Sequence, residues 1–262
     1  VEMRLLEEPV QGVLFSFNEG KGSSTRDAVQ NLNGIIIGAE TMWSSDSPSG
    51  QPGDHSLTFN GTNRVVVADP NGLVQLSTNH NDYTLQAWVK LAPGYQPGER
   101  VILFQYEGNP GFALSITPQR QLHTTAFRKK DITSSAIVPN DGQWHHVAAV
   151  HHDKSRFEFF IDGRLESTVS YTDGPGSRDT WILTIGSTVN QANAFVGGLD
   201  RIRFTPRALS AEQLDYKAWP RELRPSIEAR VEDGQILLHW PAQSEYLLES
   251  STNLAGGTWS AV

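Results

Sequence analysis

The sequence predicts an all-β chain, an antiparallel two-sheet sandwich of jelly-roll type with a short C-terminal β extension. Two observations predict it. Short runs of alternating, β-branched and aromatic residues recur along most of the chain, with almost no helical periodicity. Turn residues punctuate them, drawn from 23 glycines and 14 prolines in 262 residues.

The elements follow in order. "GVLFSFNEG" (12–20) is a strand running into a glycine-rich turn, and "HSLTFNGTNRVVVAD" (55–69) is two strands around Asn60-Gly61. In "DYTLQAWVKL" (82–91), Tyr83, Leu85, Ala87 and Val89 share one face, and Thr84, Gln86, Trp88 and Lys90 the other. "RVILFQY", "GFALSIT", "QLHTTAFRK", "GQWHHVAAVHH" and "RFEFFIDGRLESTVS" continue the series. Asp162-Gly163 in the last of these is the strongest hairpin signal, because both central residues of a type I′ turn need positive φ. "TWILTIG" and "GGLDRIRFTPRAL" complete the set, with Leu183, Ile185 and Ile202 expected in the core. Only "SAEQLDYK" (210–217) reads as helix, with Ser210 and Gln213 spaced as a capping box. The expected organisation is a sandwich domain over 1–217 and a proline-bearing linker over 218–225. Residues 226–262 follow as a β extension of about four strands, or as the truncated start of a further domain; they are too few for an independent β domain.

Composition excludes several functions. A formal charge of −8 argues against nucleic-acid binding, which needs clustered Lys and Arg. The single basic run, Arg128-Lys129-Lys130, reads as a solvated hairpin tip. Without cysteine there is neither a disulfide framework nor a thiolate metal site. No apolar run approaches the ~20 residues of a membrane helix, and the N-terminus shows no signal-peptide core.

"DGQWHHVAAVHHD" (141–153) holds His145, His146, His151 and His152. Adjacent strand side chains point to opposite faces, so neither neighbouring pair can share an ion. His145 and His151 share a face but stand roughly 20 Å apart at ~3.3 Å per residue. A zinc ion needs its nitrogens within about 2.1 Å. The stretch is therefore expected to be structural.

These residues carry a resemblance. "GQWHHVAAVHH…FEFFIDGRLES" resembles the laminin-G-like, concanavalin A-type jelly rolls of bacterial extracellular proteins. "SLTFNGTNRVVVAD", "YTLQAWVK", "WILTIGS" and "FVGGLDRIRFTPRALSAEQL" appear in that family's order, so the resemblance covers about residues 12 to 217. It implies a concanavalin A-like sandwich with Trp88 and Trp144 in core positions. It also implies one structural calcium between the first turn and the last strand, with Asn18, Glu19, Gly22, Asp27, Asn60 and Asp200 as candidate ligands. Calcium takes six to eight hard oxygens, which carbonyls of glycine-rich turns and one or two carboxylates supply. The extension beyond the linker resembles, more loosely, the opening of a fibronectin-like repeat, so a longer parent protein with further domains is expected.

Laminarinase-type hydrolases of the same superfamily set acid and nucleophile two residues apart on one strand, aimed into a cleft. No Glu here is followed two residues later by Asp or Glu, and no G-x-S-x-G elbow occurs. Catalysis by this chain is not expected, although scattered His, Tyr and Arg residues leave a lyase arrangement open. The expected role is a non-catalytic carbohydrate-binding or adhesion module of an exported protein: extracellular, periplasmic or on the cell surface. A polysaccharide-active enzyme and a structural spacer remain alternatives. For a glycan ligand, alternation puts His123, Thr125 and Phe127 on the face opposite Leu122, Thr124 and Ala126. His123, Phe127, Arg128 and Tyr106 are the candidate contacts, and the basic tip favours an acidic cell-surface polysaccharide.

Overall fold

The computed structural model describes residues 12–38, 42–68, 82–107, 112–126, 130–153, 155–172 and 182–217, and four short strands beyond them. Gln11–Pro220 form one packed unit. Its strands are β1 (Val13–Phe15), β2 (Ser24–Arg26), β3 (Asn33–Ile37), β4 (Trp43–Ser44), β5 (Ser56–Asn60), β6 (Arg64–Ala68), β7 (Tyr83–Lys90) and β8 (Val101–Glu107). There follow β9 (Phe112–Ile116), β10 (Gln121–Ala126), β11 (Lys130–Ile137), β12 (Trp144–His152), β13 (Arg156–Ile161), β14 (Arg164–Ser170), β15 (Ile182–Ile185) and β16 (Val196–Thr205). They form two antiparallel sheets. The first has the order β14-β13-β12-β7-β16-β5-β4, with β1 also on β16; the second has the order β11-β10-β9-β8-β15-β6-β3-β2.

Strand alternation decides what lies between the sheets. Tyr83, Leu85, Ala87 and Val89 are fully buried, and so are Leu183, Ile185 and Ile202. Phe112 of the second sheet stacks on Phe204 of the first, with ring centroids 4.9 Å apart and planes 7° from parallel. Asp162 (φ 49) and Gly163 (φ 73) form the β13–β14 turn that their side chains favour.

The outer face of the first sheet is capped by the chain after β16. Leu209 and Leu214 bury Ala148, Val150 and Phe160. The expected helix over 210–217 is instead two 3-10 turns, Ala211–Gln213 and Asp215–Lys217. Leu214 interrupts them with extended backbone (ψ 148), which lets it reach the sheet together with Leu209. Gln213 Oε1 still accepts the Ser210 N–H at 3.0 Å. Beneath this cap Arg203 Nη1 and Asp215 Oδ1 pair at 3.0 Å, and Gln86 Oε1 accepts the Asp215 N–H at 3.0 Å and faces His146 Nε2 at 3.1 Å.

Each histidine of β12 has a protein partner. His145 lies between Asp141 and Asp162, and His146 faces Gln86. His151 packs on Tyr83 and Phe157 in the core, and His152 faces Glu158 at 3.0 Å. Trp88 and Trp144 depart from the core position expected of them. Both are half-buried on the outer face of the first sheet, where the alternation that buries Ala87 and Val89 must send Trp88.

Beyond residue 220, β17 (Glu228–Glu232) pairs with β18 (Gln235–His239), and β19 (Glu249–Ser250) with β20 (Ser260–Ala261), all antiparallel. The expected linker over 218–225 lies outside the described residues.

Candidate functional site

Leu122 is in the core, so alternation turns His123 and Thr125 onto the outer face of the second sheet. Register then brings neighbours to them. His123 is opposite Ser115 of β9, and Thr125 is opposite Asp131 of β11. Arg100, just before β8, completes the cluster. Its Nη1 lies 3.4 Å from Thr125 Oγ1 and 3.5 Å from both His123 Nε2 and Asp131 Oδ1. Thr125 Oγ1 donates to Asp131 Oδ1 at 2.8 Å, and Ser115 Oγ lies 3.0 Å from His123 Nδ1.

His123 is only 4% exposed. Burial, helped by Arg100 and opposed by Asp131, pushes its pKa down to about 4. The ring is therefore neutral at pH 7, and its 3.8 Å approach to Asp131 is not an ion pair. Arg100 and Asp131 are half-exposed to exposed and 3.5 Å apart, so their attraction is weak and their remaining hydrogen-bonding capacity is open to a ligand. The cluster presents a guanidinium and a carboxylate at the surface, backed by a buried hydroxyl and imidazole, and the exposed pair is suited to hydroxyl groups.

Two of the expected contacts, Phe127 and Arg128, lie outside the described residues. Tyr106 must be corrected. It is 5% exposed and stacks on Phe112 inside the core. A β-bulge between Ile102 and Phe104 turns both Leu103 and Phe104 inward, which reverses the parity of the rest of β8 and exchanges Tyr106 for Gln105.

Five of the six expected calcium ligands are engaged by the protein itself. Asp27 accepts backbone N–H groups from Leu14 (2.6 Å), Val29 (3.2 Å) and Gln30 (2.5 Å). Burial, against those hydrogen bonds, raises its pKa. Glu19 accepts from Thr25 Oγ1 and the Arg26 N–H, and the Gly22 carbonyl accepts from Trp43 Nε1. Asn60 Oδ1 accepts the Thr62 N–H and hydroxyl within its own turn, and Asn18 Oδ1 accepts the His55 N–H. Among the described residues, no three His, Cys, Asp or Glu side chains gather as a metal site.

Asp200 is different, and its partner is a residue the sequence did not single out, Asp54. Asp200 is fully buried and Asp54 is 6% exposed. Asp200 Oδ1 accepts the Arg201 N–H and Asp54 Oδ2 accepts from Ser49 Oγ, but Asp200 Oδ2 and Asp54 Oδ1 have no hydrogen-bond partner. Burial first, and then the charge of Asp54, raises the Asp200 pKa well above the carboxylate range. Two buried carboxylates, each with an open oxygen, fit a hard divalent cation whose other ligands are carbonyls or water.

Structural similarity supports the fold assignment. Domain 4 of AbnA, an extracellular GH43 arabinanase from Geobacillus stearothermophilus solved with arabinotriose, is 20% identical (TM-score 0.57). The alignment covers 79% of this chain and 97% of that domain. Trypanosoma rangeli sialidase is 16% identical (TM-score 0.56) over 83% of this chain but only 34% of the sialidase. The binding domain of Paraclostridial Mosquitocidal Protein 1 is 15% identical (TM-score 0.58), over 84% of this chain and 53% of that one. At these identities the likeness is one of fold. No curated protein matches the sequence. Among the described residues no helix is long and apolar enough to cross a membrane. A laminin G-type family model matches residues 59–215, from β5 to the second 3-10 turn, and the chain belongs to the concanavalin A-like lectin/glucanases superfamily.

Proposed function

We propose that this chain is a non-catalytic carbohydrate-binding or adhesion module of a larger exported bacterial protein, working at the cell surface, in the periplasm or outside the cell. The observation that carries the reading is the cluster of Arg100, His123, Thr125 and Asp131 on the outer face of the second sheet, where hydrogen-bonding groups converge around a single carboxylate. Its fold neighbours include a domain solved with an arabino-oligosaccharide and a sialidase. The partner is a glycan or cell-surface polysaccharide, together with other domains of a longer parent protein. Affinity electrophoresis against a panel of neutral and acidic polysaccharides tests this. Retardation by at least one polysaccharide, lost in Arg100→Ala, is the expected result. No retardation by any member, or release of shortened products during incubation, overturns it.

Calcium belongs to the same reading. A structural calcium ion bound by Asp200 and a second carboxylate would let Asp200 ionise where burial otherwise disfavours its charge. Calcium titrated into EDTA-treated protein should raise its melting temperature by mass action; an unchanged melting temperature removes the ion.

A further inference from the structure

Asn193 holds the chain around Arg100. Its Nδ2 donates to the Arg100 carbonyl at 2.8 Å, and its own carbonyl accepts the Ile102 N–H at 2.8 Å. From that anchor the Arg100 side chain crosses β9, whose outward residues there are the small Ala113 and Ser115, to reach Thr125 on β10.

Beneath the guanidinium the buried protons have one consistent arrangement. Ser115 Oγ donates to the His123 carbonyl at 3.2 Å, so it must accept from His123 Nδ1 at 3.0 Å. His123 therefore carries its proton on Nδ1 and turns the lone pair of Nε2 towards Arg100 Nη1. Thr125 Oγ1 gives its proton to Asp131 Oδ1 and likewise accepts from Arg100. The imidazole and the hydroxyl are thus engaged inside the cluster, both as acceptors under the guanidinium.

What is left for a ligand lies on the exposed pair. Among the described residues, every side-chain contact of Asp131 runs through Oδ1, which leaves Oδ2 open on a side chain 64% exposed. The Arg100 side-chain contacts are all made by Nη1, so Nε and Nη2 keep their hydrogens for other partners. An open N–H beside an open carboxylate oxygen matches two hydroxyls on neighbouring carbons. One hydroxyl accepts, the other donates, and both hydrogen bonds are charge-assisted.

Charge decides between a neutral ligand and an acidic one. One guanidinium, one carboxylate and a neutral imidazole sum to zero, whereas an anion is held by uncompensated Arg or Lys. The chain carries a formal charge of −8, which repels a polyanion at long range. A sugar acid would also bring its own carboxylate against Asp131.

We infer that the ligand of this cluster is a neutral glycan, read through two adjacent hydroxyls by Arg100 and Asp131. The inference rests on the carbohydrate reading above and gives it a ligand class. That class is opposite to the acidic polysaccharide favoured by the basic run at 128–130.

The test is affinity electrophoresis of the full 262-residue chain in gels that each carry one polysaccharide. Dextran, linear arabinan and galactomannan are neutral and present adjacent hydroxyls. Laminarin is neutral, but its interior residues present no two adjacent free hydroxyls. Polygalacturonate is acidic. At least one of the first three should retard the wild type, and laminarin and polygalacturonate should not. Raising sodium chloride from about 0.05 M to about 0.5 M should leave the neutral retention unchanged, because the ligand carries no charge to screen. Asp131→Asn keeps the shape of the side chain and removes its charge. It should weaken neutral retention about tenfold. It should also create a salt-sensitive retention by polygalacturonate, since Arg100 is then uncompensated. Such a gain cannot come from misfolding. Arg100→Gln should lose both. No retention of the wild type by any of the five defeats the carbohydrate reading itself. Wild-type retention that is strongest on polygalacturonate, or as strong on laminarin as on the other neutral probes, overturns the inference alone. So does neutral retention that Asp131→Asn leaves unchanged.

Discussion

His145 Nδ1 lies 2.7 Å from Asp162 Oδ2 while Nε2 of the same ring lies 3.1 Å from Asp141 Oδ1. A neutral imidazole has one N–H and can serve only one of these carboxylates, whereas the imidazolium donates to both. Burial pulls the His145 pKa down, but hydrogen bonds to Asp162 and Asp141, with their charges, outweigh it and raise it overall. A pKa raised by folding stabilises the native state fully below the unfolded value of about 6.5, and the benefit fades as pH climbs through the folded value. Between about pH 6 and about pH 9, the melting temperature of the wild type should fall more than that of His145→Gln. Parallel pH profiles for the two proteins would show that the bridge contributes nothing.

Arg203 and Asp215 form a buried pair under the C-terminal cap. Replacing Arg203 with Met leaves Asp215 buried without its countercharge and should cost about 3–5 kcal/mol in urea unfolding. Adding Asp215→Leu should recover part of that loss, because the remaining charge goes with it. A double variant less stable than the single one contradicts this account.

Phe112 is packed against Phe204, Tyr106 and Phe104 with no exposed surface. Phe112→Ala should destabilise by about 3–5 kcal/mol, as expected for an aromatic at the contact between two sheets. A loss under about 1 kcal/mol would mean that the sheets close over the cavity.

Asp131 has 64% of its side chain exposed, so Asp131→Ala should change stability by less than about 0.5 kcal/mol. If the cluster binds glycan, the same variant should weaken retention about tenfold, equivalent to ~1.4 kcal/mol. Full retention with full stability would move the binding surface off this face.

The strand faces were legible because a period of two is written directly into residue order. Leu85, Leu183 and Ile202 are buried as that period requires, and His123 and Thr125 share the outer face opposite Leu122. What escaped depends on events that break the period. The bulge in β8 carries Tyr106 inward, and nothing in "RVILFQY" marks where the extra residue falls. The helix expected at 210–217 gave way because Leu209 and Leu214 both meet the sheet, a tertiary demand invisible to capping residues. Asp54 carried no signal either. It sits in a Ser/Gly/Pro loop, and only the path of the folded chain brings it to Asp200.

The pairing of β1 with β16 sets Val13 opposite Phe204, so the first and last strands of the sandwich are hydrogen-bonded neighbours. The strand that opens the sandwich is thus zipped to the strand that closes it, and the seam is locked from outside by the chain that runs on from β16 over β12 and β13. Force applied to the two ends would first have to strip Leu209 and Leu214 from the sheet, and only then could it load the β1–β16 seam, one hydrogen-bonded pair at a time.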